Sequence, residues 1–596
     1  MNSRLLSAWM AAMVAMVACK REPPPPPPAV DPASITWPAS IDAGPIPVWR
    51  TSEAVAIDDS VTGTGTTFLV VSEAETASKA GRDVLASGGN AVDAAVATAF
   101  ALAVVHPTAG NIGGGGFAVV RLAPGKAVAL DFREVAPAAA TETMFLDASG
   151  KPTDASLVGH RASGVPGAVA GLFELHRKYG KTAWRELVRP AIKLARDGFS
   201  VDRFLAQSIV RRVERLSKFS ATAAIWIPSA VPHPVGAVVT IPELAATLER
   251  IAESGPDGFY KGETAAAIVA EMKSGNGIIT AADLAAYKPV WREPLRFPYR
   301  GRSIVTMPPP SSGGIVLGMT AGMFRDVALD KLAWYGPEHV HRLAEVWKRA
   351  FAARNELLGD PAFVADMPIA RLLSAAYTDQ LAATITKTAT PSAKVLALIE
   401  GDHTTNLCVV DGNGMAVALT TTLNTAFGSG VTVKGAGFLL NNEMDDFTAK
   451  PGSPNTFGLR QGLANRIVPG KRMLSSMSPT IVEDDTGQIV MLAGAGGGPR
   501  IITAVWQTIS NVIDYKQPVA AAVARQRVHH QHLPDLVYVE AEAIAEPTDE
   551  TLRNNGHALL WGNAPREFGA VTAIVRTATG WEGTSDPRGG GVAVGD

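Results

Sequence analysis

Thr404 and Thr405 sit just ahead of a short apolar run, 407–410, and Thr421 and Thr422 end a second run, 415–422. Between the runs, Asp411-Gly412-Asn413-Gly414 has the composition of a hairpin turn. Pairing Asp411 with Gly414 sets Thr404 opposite Thr421 and beside Thr422, so the two threonine clusters are neighbours. Asn441-Asn442-Glu443-Met444-Asp445-Asp446 concentrates amides and acids in a turn. It reads either as a solvated loop or as a socket for a substrate ammonium, since a desolvated carboxylate forms strong charge-assisted hydrogen bonds. Leu474-Ser475-Ser476-Met477-Ser478-Pro479 is a plain turn or a hydroxyl set that donates to a carboxylate.

A glycine turn, Ala495-Gly496-Gly497-Gly498-Pro499-Arg500, follows an apolar run at 490–494. It superficially resembles a dinucleotide loop. However, Gly494-x-Gly496-x-x-Pro499 lacks the third glycine and no βαβ unit continues. The other reading is an anion or oxyanion hole made by adjacent glycine N–H groups at a helix start. His529, His530 and His532, with Asp535 near, have the alternation of metal ligands on a strand. No second ligand cluster accompanies them, so packing and hydrogen bonding is the preferred reading. No GxSxG elbow or HExxH helix occurs.

These groups need a framework, and the sequence supplies one. Of 596 residues, 47% are hydrophobic and 18% charged, which allows a sizeable core and excludes wholesale disorder. Lys plus Arg is 54 against 56 for Asp plus Glu, so the net charge of −2 argues against broad nucleic-acid binding. Two cysteines exclude a disulfide scaffold and a Cys-rich metal site. A short strand at 68–72 leads into a helix ended by Gly88-Gly89. Asn90 caps the next helix, 91–105, whose almost wholly apolar sequence marks it as buried. Thr182 fits an N-cap before another helix. Four glycines, 113–116, turn into a strand at 117–122, and Asp131-Phe132-Arg133-Glu134 closes the strand after it. Helices dominate 165–290 and strands dominate after 404.

The N-terminus reads as an address. Arg4 precedes an apolar run of 14 residues, 5–18, too short for a bilayer span of about 20 and suited to a signal peptide. Met16-Val17-Ala18-Cys19 resembles a bacterial lipobox with Cys19 lipidated, and prolines 23–28 form a stiff spacer.

Taken together, the chemistry-bearing stretches resemble the γ-glutamyltranspeptidases, self-processing N-terminal-nucleophile hydrolases. The resemblance runs from about Phe68 to Arg588 and rests on Gly88–Ala95, Asn111–Phe117, Asp131–Arg133, the Pro308–Gly314 loop, Thr404-Thr405, Thr422-Leu423-Asn424, the 441–447 loop, the 475–480 turn, Gly497-Gly498 and Ser585–Arg588. It implies an α+β, four-layer αββα sandwich built by a large and a small subunit that stay together after one precursor cuts itself. The cut would fall between His403 and Thr404. The segments are then a signal peptide at 1–19, a Pro-rich linker at 20–60, a large subunit at 61–403 and a small catalytic subunit at 404–596. Where the family has Thr-Thr-His, this chain has Thr404-Thr405-Asn406.

The resemblance also implies roles. Thr404 attacks a γ-glutamyl carbonyl, Thr422 orients its hydroxyl, and the N–H groups of Gly497 and Gly498 hold the oxyanion. Arg133, Ser475 and Ser476 take the substrate α-carboxylate, while Asn424, Glu443 and Asp446 take the α-ammonium. Residues 450–462 match a lid found in some members. No cofactor or metal is required. Substrates are glutathione or other γ-glutamyl compounds, with water, amino acids or dipeptides as acceptors, and the location is the periplasm or cell envelope through a lipid anchor. A related acylase acting on glutaryl β-lactam intermediates is the nearest alternative. Its substrate lacks an ammonium, which would leave Asp446 unpartnered at a cost. An uncleaved binding protein is the second alternative, and the complete residue set argues against it.

Overall fold

The computed structural model describes residues 61–392, 404–562 and 568–596. Cys19, the prolines at 23–28 and His403 lie outside the described residues. The fold is mixed α and β with two large antiparallel sheets of seven strands each. The first runs Val592–Gly595, Leu69–Ser72, Thr405–Val410, Ala416–Thr422, Gly115–Ala123, Lys126–Asp131, Val290–Arg292. The second runs Thr62–Gly65, Trp581–Ser585, Ala570–Arg576, Ile489–Gly496, Thr480–Glu483, Arg302–Thr306, Leu295–Tyr299.

Side-chain alternation along the strands divides the core in two. In the first sheet Val70, Leu407, Val409, Val417, Leu419 and Val120 pack with the helices Glu75–Ala86, Ala91–Val105 and Trp184–Asp197. The residues of opposite parity, Leu69, Val71, Cys408, Val410, Ala418 and Val119, pack with Leu492, Ala493 and Ile574 of the second sheet. That second core continues to the helices Gly313–Met323, Pro337–Leu357 and Arg500–Ile513. Every residue of Thr405–Val410 and Ala416–Thr422 is buried, so these two strands are covered on both faces.

Local chemistry explains the element boundaries. Asn90 caps Ala91–Val105, as the sequence predicts, and Asp93 returns the bond to complete a reciprocal capping box. Thr182 does not cap the following helix. Its hydroxyl donates to Asp93 at 3.2 Å, and Trp184–Asp197 begins at Ala183 without a side-chain cap. The glycine run does not end at a turn, because the strand Gly115–Ala123 reaches back into it and pairs Gly116 with Thr421 and Gly115 with Thr422.

The hairpin register is one residue from the sequence expectation: Thr405 pairs with Thr421 and Val410 with Ala416. The loop is longer than two residues. Asp411 N–H donates to the Met415 carbonyl at 3.0 Å, Gly414 adopts φ 80°, and the Asp411 carboxylate accepts from Asn413 and Met415 N–H. A left-handed glycine closing a longer loop adds one residue to the returning strand and shifts every pair.

Candidate active site

One step beyond the Thr405–Thr421 pair, Thr404 comes level with Thr422, and their hydroxyl oxygens are 3.2 Å apart. Asn424 N–H donates to the Thr422 hydroxyl at 2.7 Å, which fixes the Thr422 rotamer. Asn424 itself holds φ 74°, a left-handed conformation that Asn tolerates better than most residues. Its side-chain amide donates to the Asn442 carbonyl at 3.0 Å.

The second sheet touches Thr404 through glycines. A Cβ on Gly496 would collide with the Thr404 carbonyl oxygen, and one on Gly494 would collide with the Asn406 side chain. Two glycines spaced by two on one strand therefore let the sheets approach at the threonine. Strand Ile489–Gly496 runs to the second of them. Gly497 (φ 130°) and Gly498 (φ 53°) then turn the chain into helix Arg500–Ile513. Their carbonyls accept from Arg500 and Ile501 N–H, both at 3.1 Å. Asn406 is tied to both sheets: its amide donates to the Thr572 hydroxyl and accepts from the Thr420 hydroxyl, both at 2.7 Å.

Beside Thr404 lies a cavity of about 20 Å³ whose lining includes Arg133, Asn424, Glu443, Asp446, Ser475, Ser476 and Gly498 together with Phe457 and Leu459. Such a space holds at most a water or so. The structure thus brings together all the sequence-expected site residues it describes, with Thr422 and Gly497 just behind the lining. The Arg133 fork is closed by Glu443 and Asp446, and Nη1 is 3.8 Å from the Glu134 carboxylate. The expectation that Asp446 is unpartnered without an ammonium is corrected here, because Arg133 partners it.

Arg133, Glu443 and Asp446 line this pocket and Glu134 lies beside Arg133, all buried. Burial would lower Arg133, but Glu443, Asp446 and Glu134 outweigh it and hold the guanidinium above its ordinary value. Burial pushes Glu134 up to about 7 against the pull of Arg133, and pushes Glu443 and Asp446 up as well. One arginine facing three acids leaves a surplus of acids, which burial pushes towards the protonated form.

The acid loop is a short 3₁₀ turn, Glu443–Asp446, pinned by its amides. Asn441 donates to the Gly113 and Gly164 carbonyls, and Asn442 donates to the Leu157 carbonyl and the Thr425 hydroxyl. Asp445 faces away from the arginine: it accepts from Ser156 at 2.7 Å and from Thr456 N–H at 2.8 Å, which ties the 450–462 segment to the acid loop. Ser475 is set by the 308–314 loop, donating its N–H to the Pro310 carbonyl at 2.8 Å while its own carbonyl accepts from Ser312.

Sequence reasoning missed Glu134, Arg354 and the Gly494/Gly496 contact. Arg354, buried and brought down to about 10, donates to Ser312 and Gln461 behind the carboxylate side of the site. The period-two glycines were the readable signal for the sheet contact. The histidines do structural work: His529 bonds Thr503 and Gln531, and His530 lies 3.4 Å from Asp535.

A threonine heading a central strand between two stacked antiparallel sheets, beside a glycine turn, defines the class of N-terminal-nucleophile hydrolases. A profile of the Gamma-glutamyltranspeptidase family matches residues 77–596, and the chain belongs to that family. It is 47% identical over 527 residues to a glutathione hydrolase proenzyme of Pseudomonas aeruginosa, covering 87% of this chain and 93% of the relative. It is 45% identical to the glutathione hydrolase proenzyme of Escherichia coli, covering 87% of this chain and 90% of that one. Among solved structures, a cephalosporin acylase from Bacillus halodurans superimposes with a TM-score of 0.77 at 26% identity, covering 90% of this chain and 97% of the acylase.

Proposed function

We propose that the chain is a γ-glutamyl hydrolase and transferase that matures by cutting itself between His403 and Thr404. The observation that carries the reading is the Thr404–Thr422 hydroxyl contact at the wall of a pocket lined by one arginine and two acids, Glu443 and Asp446. Glutathione is the donor suggested by the relatives' names.

The cut frees the α-amino group of Thr404. An α-amine has a pKa of roughly 7.7–8.0, so near neutral pH much of it is a base able to take the Thr404 hydroxyl proton. Thr404 Oγ attacks the γ-carbonyl, Thr422 orients it, and the N–H groups of Gly497 and Gly498 hold the tetrahedral oxyanion. Losing one such donor typically costs about 3–4 kcal/mol. The leaving amine departs with the proton, and water or an amino acid or dipeptide resolves the acyl-enzyme.

Recognition is an exchange of ion pairs. The substrate α-carboxylate takes the Arg133 fork with Ser475 and Ser476, and the α-ammonium takes Asp446, Glu443 and Asn424. A zwitterion brings one charge of each sign and so adds nothing to the surplus of acids. A glutaryl group adds a carboxylate and brings no cation, which favours the γ-glutamyl reading over the acylase. Because the cavity is water-sized, Phe457 and Leu459 must move for entry, and residues 450–462 act as the lid.

Both sides of the cut form an αββα sandwich, with the large subunit at 61–403 and the small at 404–596. Cys19 carries a lipid anchor, and the prolines hold the body off the envelope membrane; unchanged fractionation of Cys19→Ser would refute that placement. The deciding test of the function is mass spectrometry of the purified protein. A fragment beginning at Thr404, together with release of glutamate from glutathione, is expected. An intact chain, or a cut elsewhere, would sink the proposal.

A further inference from the structure

Glu73 follows the strand Leu69–Ser72, the neighbour of the Thr405–Val410 strand. Leu69 and Val71 point between the sheets, as do Cys408 and Val410. Glu73 and Thr404 continue these two series, so both face the second sheet. The glycine contacts fix the point. A Cβ on Gly496 would meet the Thr404 carbonyl oxygen and, at 3.5 Å, Glu73 Oε1; one on Gly589 would meet Glu73 Oε2 at 2.8 Å. The Glu73 side chain has no exposure to solvent. The fold thus buries a carboxyl group against the residue that becomes a new amino terminus, and the mechanism above leaves it without a role.

We propose that Glu73 is the positioning partner of the Thr404 α-ammonium in the mature enzyme, holding that terminus against the inter-sheet face and setting the pH at which it becomes a base. This rests on the reading that the chain is cut at 403/404. A carboxylate within about 6 Å favours the charged form of an amine, and buried pairs are poorly screened. The amine is accordingly harder to deprotonate with Glu73 present, and the acid limb of the activity profile lies at higher pH than it would with a neutral residue there.

Other charges face the same spot and must be separated from it. His106, at the end of helix Ala91–Val105, places Nε2 3.9 Å from Glu73 Oε2. From the turn that packs over Glu73 come Asp586 and Arg588, which close a network with Arg527 and Glu540. Arg500 begins the helix after the glycine turn. Across the cavity stand Arg133, Glu134, Glu443 and Asp446. Of these, His106 ordinarily titrates beside an α-amine, and Glu134, which burial pushes up to about 7, does so in this fold.

The experiment is the pH dependence of kcat/KM for a chromogenic γ-glutamyl anilide, measured on mature wild type, Glu73→Gln, Glu73→Asp and His106→Asn. The acid limb of kcat/KM reports groups of the free enzyme. In Glu73→Gln it is expected to move to lower pH by about one unit, the scale of one removed charge. Glu73→Asp keeps the charge and is expected to show a smaller move in the same direction. His106→Asn is expected to retain the limb. An unmoved or upward-moved limb in Glu73→Gln overturns the proposal, as does loss of the limb in His106→Asn. Should Glu73→Gln remain uncut, the Asp variant decides, with an unmoved limb counting against. Wild type that is never cut fails the parent reading, whereas cut wild type with an insensitive limb fails only this one.

Discussion

Two regions meet at the cavity and are built on different principles. On one side, Thr404, Thr422 and Gly496 are held by sheet ladders and by contact between backbones. On the other, Arg133, Glu134, Glu443 and Asp446 are held by loops whose amides are individually hydrogen-bonded, and they hold one another by charge. The first region cannot adjust, because its neighbours are main-chain atoms. The second can, because its ion pairs exchange for those of a ligand. On the proposed mechanism chemistry falls to the rigid side and selection to the exchangeable side, so damage to the first should appear in maturation and kcat, and damage to the second in KM and substrate preference.

The largest test of that division is Thr404→Ala. On the proposed mechanism it removes the hydroxyl that makes the cut and the attack, and a denaturing gel should show one intact chain with no detectable γ-glutamyl release. Two-chain maturation of this variant would move the nucleophile elsewhere. Next comes Gly496→Ala, whose methyl group meets the Thr404 carbonyl oxygen. Displacing a reacting group by about 1 Å costs on the order of 100-fold, so kcat should fall at least that far with KM little changed. A near-normal kcat would show that the sheet contact is slack.

On the exchangeable side, Asp446→Asn should lower kcat/KM for a γ-glutamyl anilide by roughly 100-fold or more. Leaving a buried substrate charge unpaired costs on the order of 3–5 kcal/mol at full burial. The same enzyme's slower action on a glutaryl anilide should hardly change, and equal losses would mean that Asp446 only supports its loop. The smallest effect belongs to Glu134→Gln. Glu134 titrates at about 7 in the fold, raised by burial against the pull of Arg133. At pH 6 it is mostly neutral and the substitution should be nearly silent; at pH 8 it is mostly charged, and KM should rise severalfold. The linked stability has the opposite sense. The folded form keeps a proton that the unfolded form loses, so wild type loses stability as pH rises from about 4.5 to 7, and the Gln variant should lose less by thermal unfolding.

The sequence made some of this readable and hid the rest for definable reasons. The Asn90 cap and the buried helix after it are local, set by residues three apart, and they stand as read. The acid loop was legible because amides and acids cluster within six positions. The hairpin register was misread by one because a loop's length depends on whether its last glycine turns left-handed, which composition alone does not decide. Gly494 and Gly496 looked like half of a phosphate loop. Their use became visible only with Asn406 and Thr404 opposite them, nearly 90 positions earlier in the chain. Glu134 sits in plain view beside Arg133, but its burial, and hence its raised titration, is a property of the packed site.

The strand orders carry a further consequence. Leu69–Ser72 is flanked by Val592–Gly595 and Thr405–Val410, Ala416–Thr422 lies beside Gly115–Ala123, and in the second sheet Thr480–Glu483 lies beside Arg302–Thr306 and Thr62–Gly65 beside Trp581–Ser585. Each of these ladders joins chain from before residue 403 to chain from after it. If the bond is cut as proposed, assembly that had been intramolecular becomes a meeting of two polypeptides, each missing strands of both sheets. Folding is then a one-way passage: the precursor can search for its structure as a single chain, but a mature molecule that melts must find its other half at bulk concentration, with open sheet edges ready to pair with any copy nearby. Persistence of such a cut enzyme would be governed by how slowly it opens, and the severed bond would act as a record that folding has already succeeded.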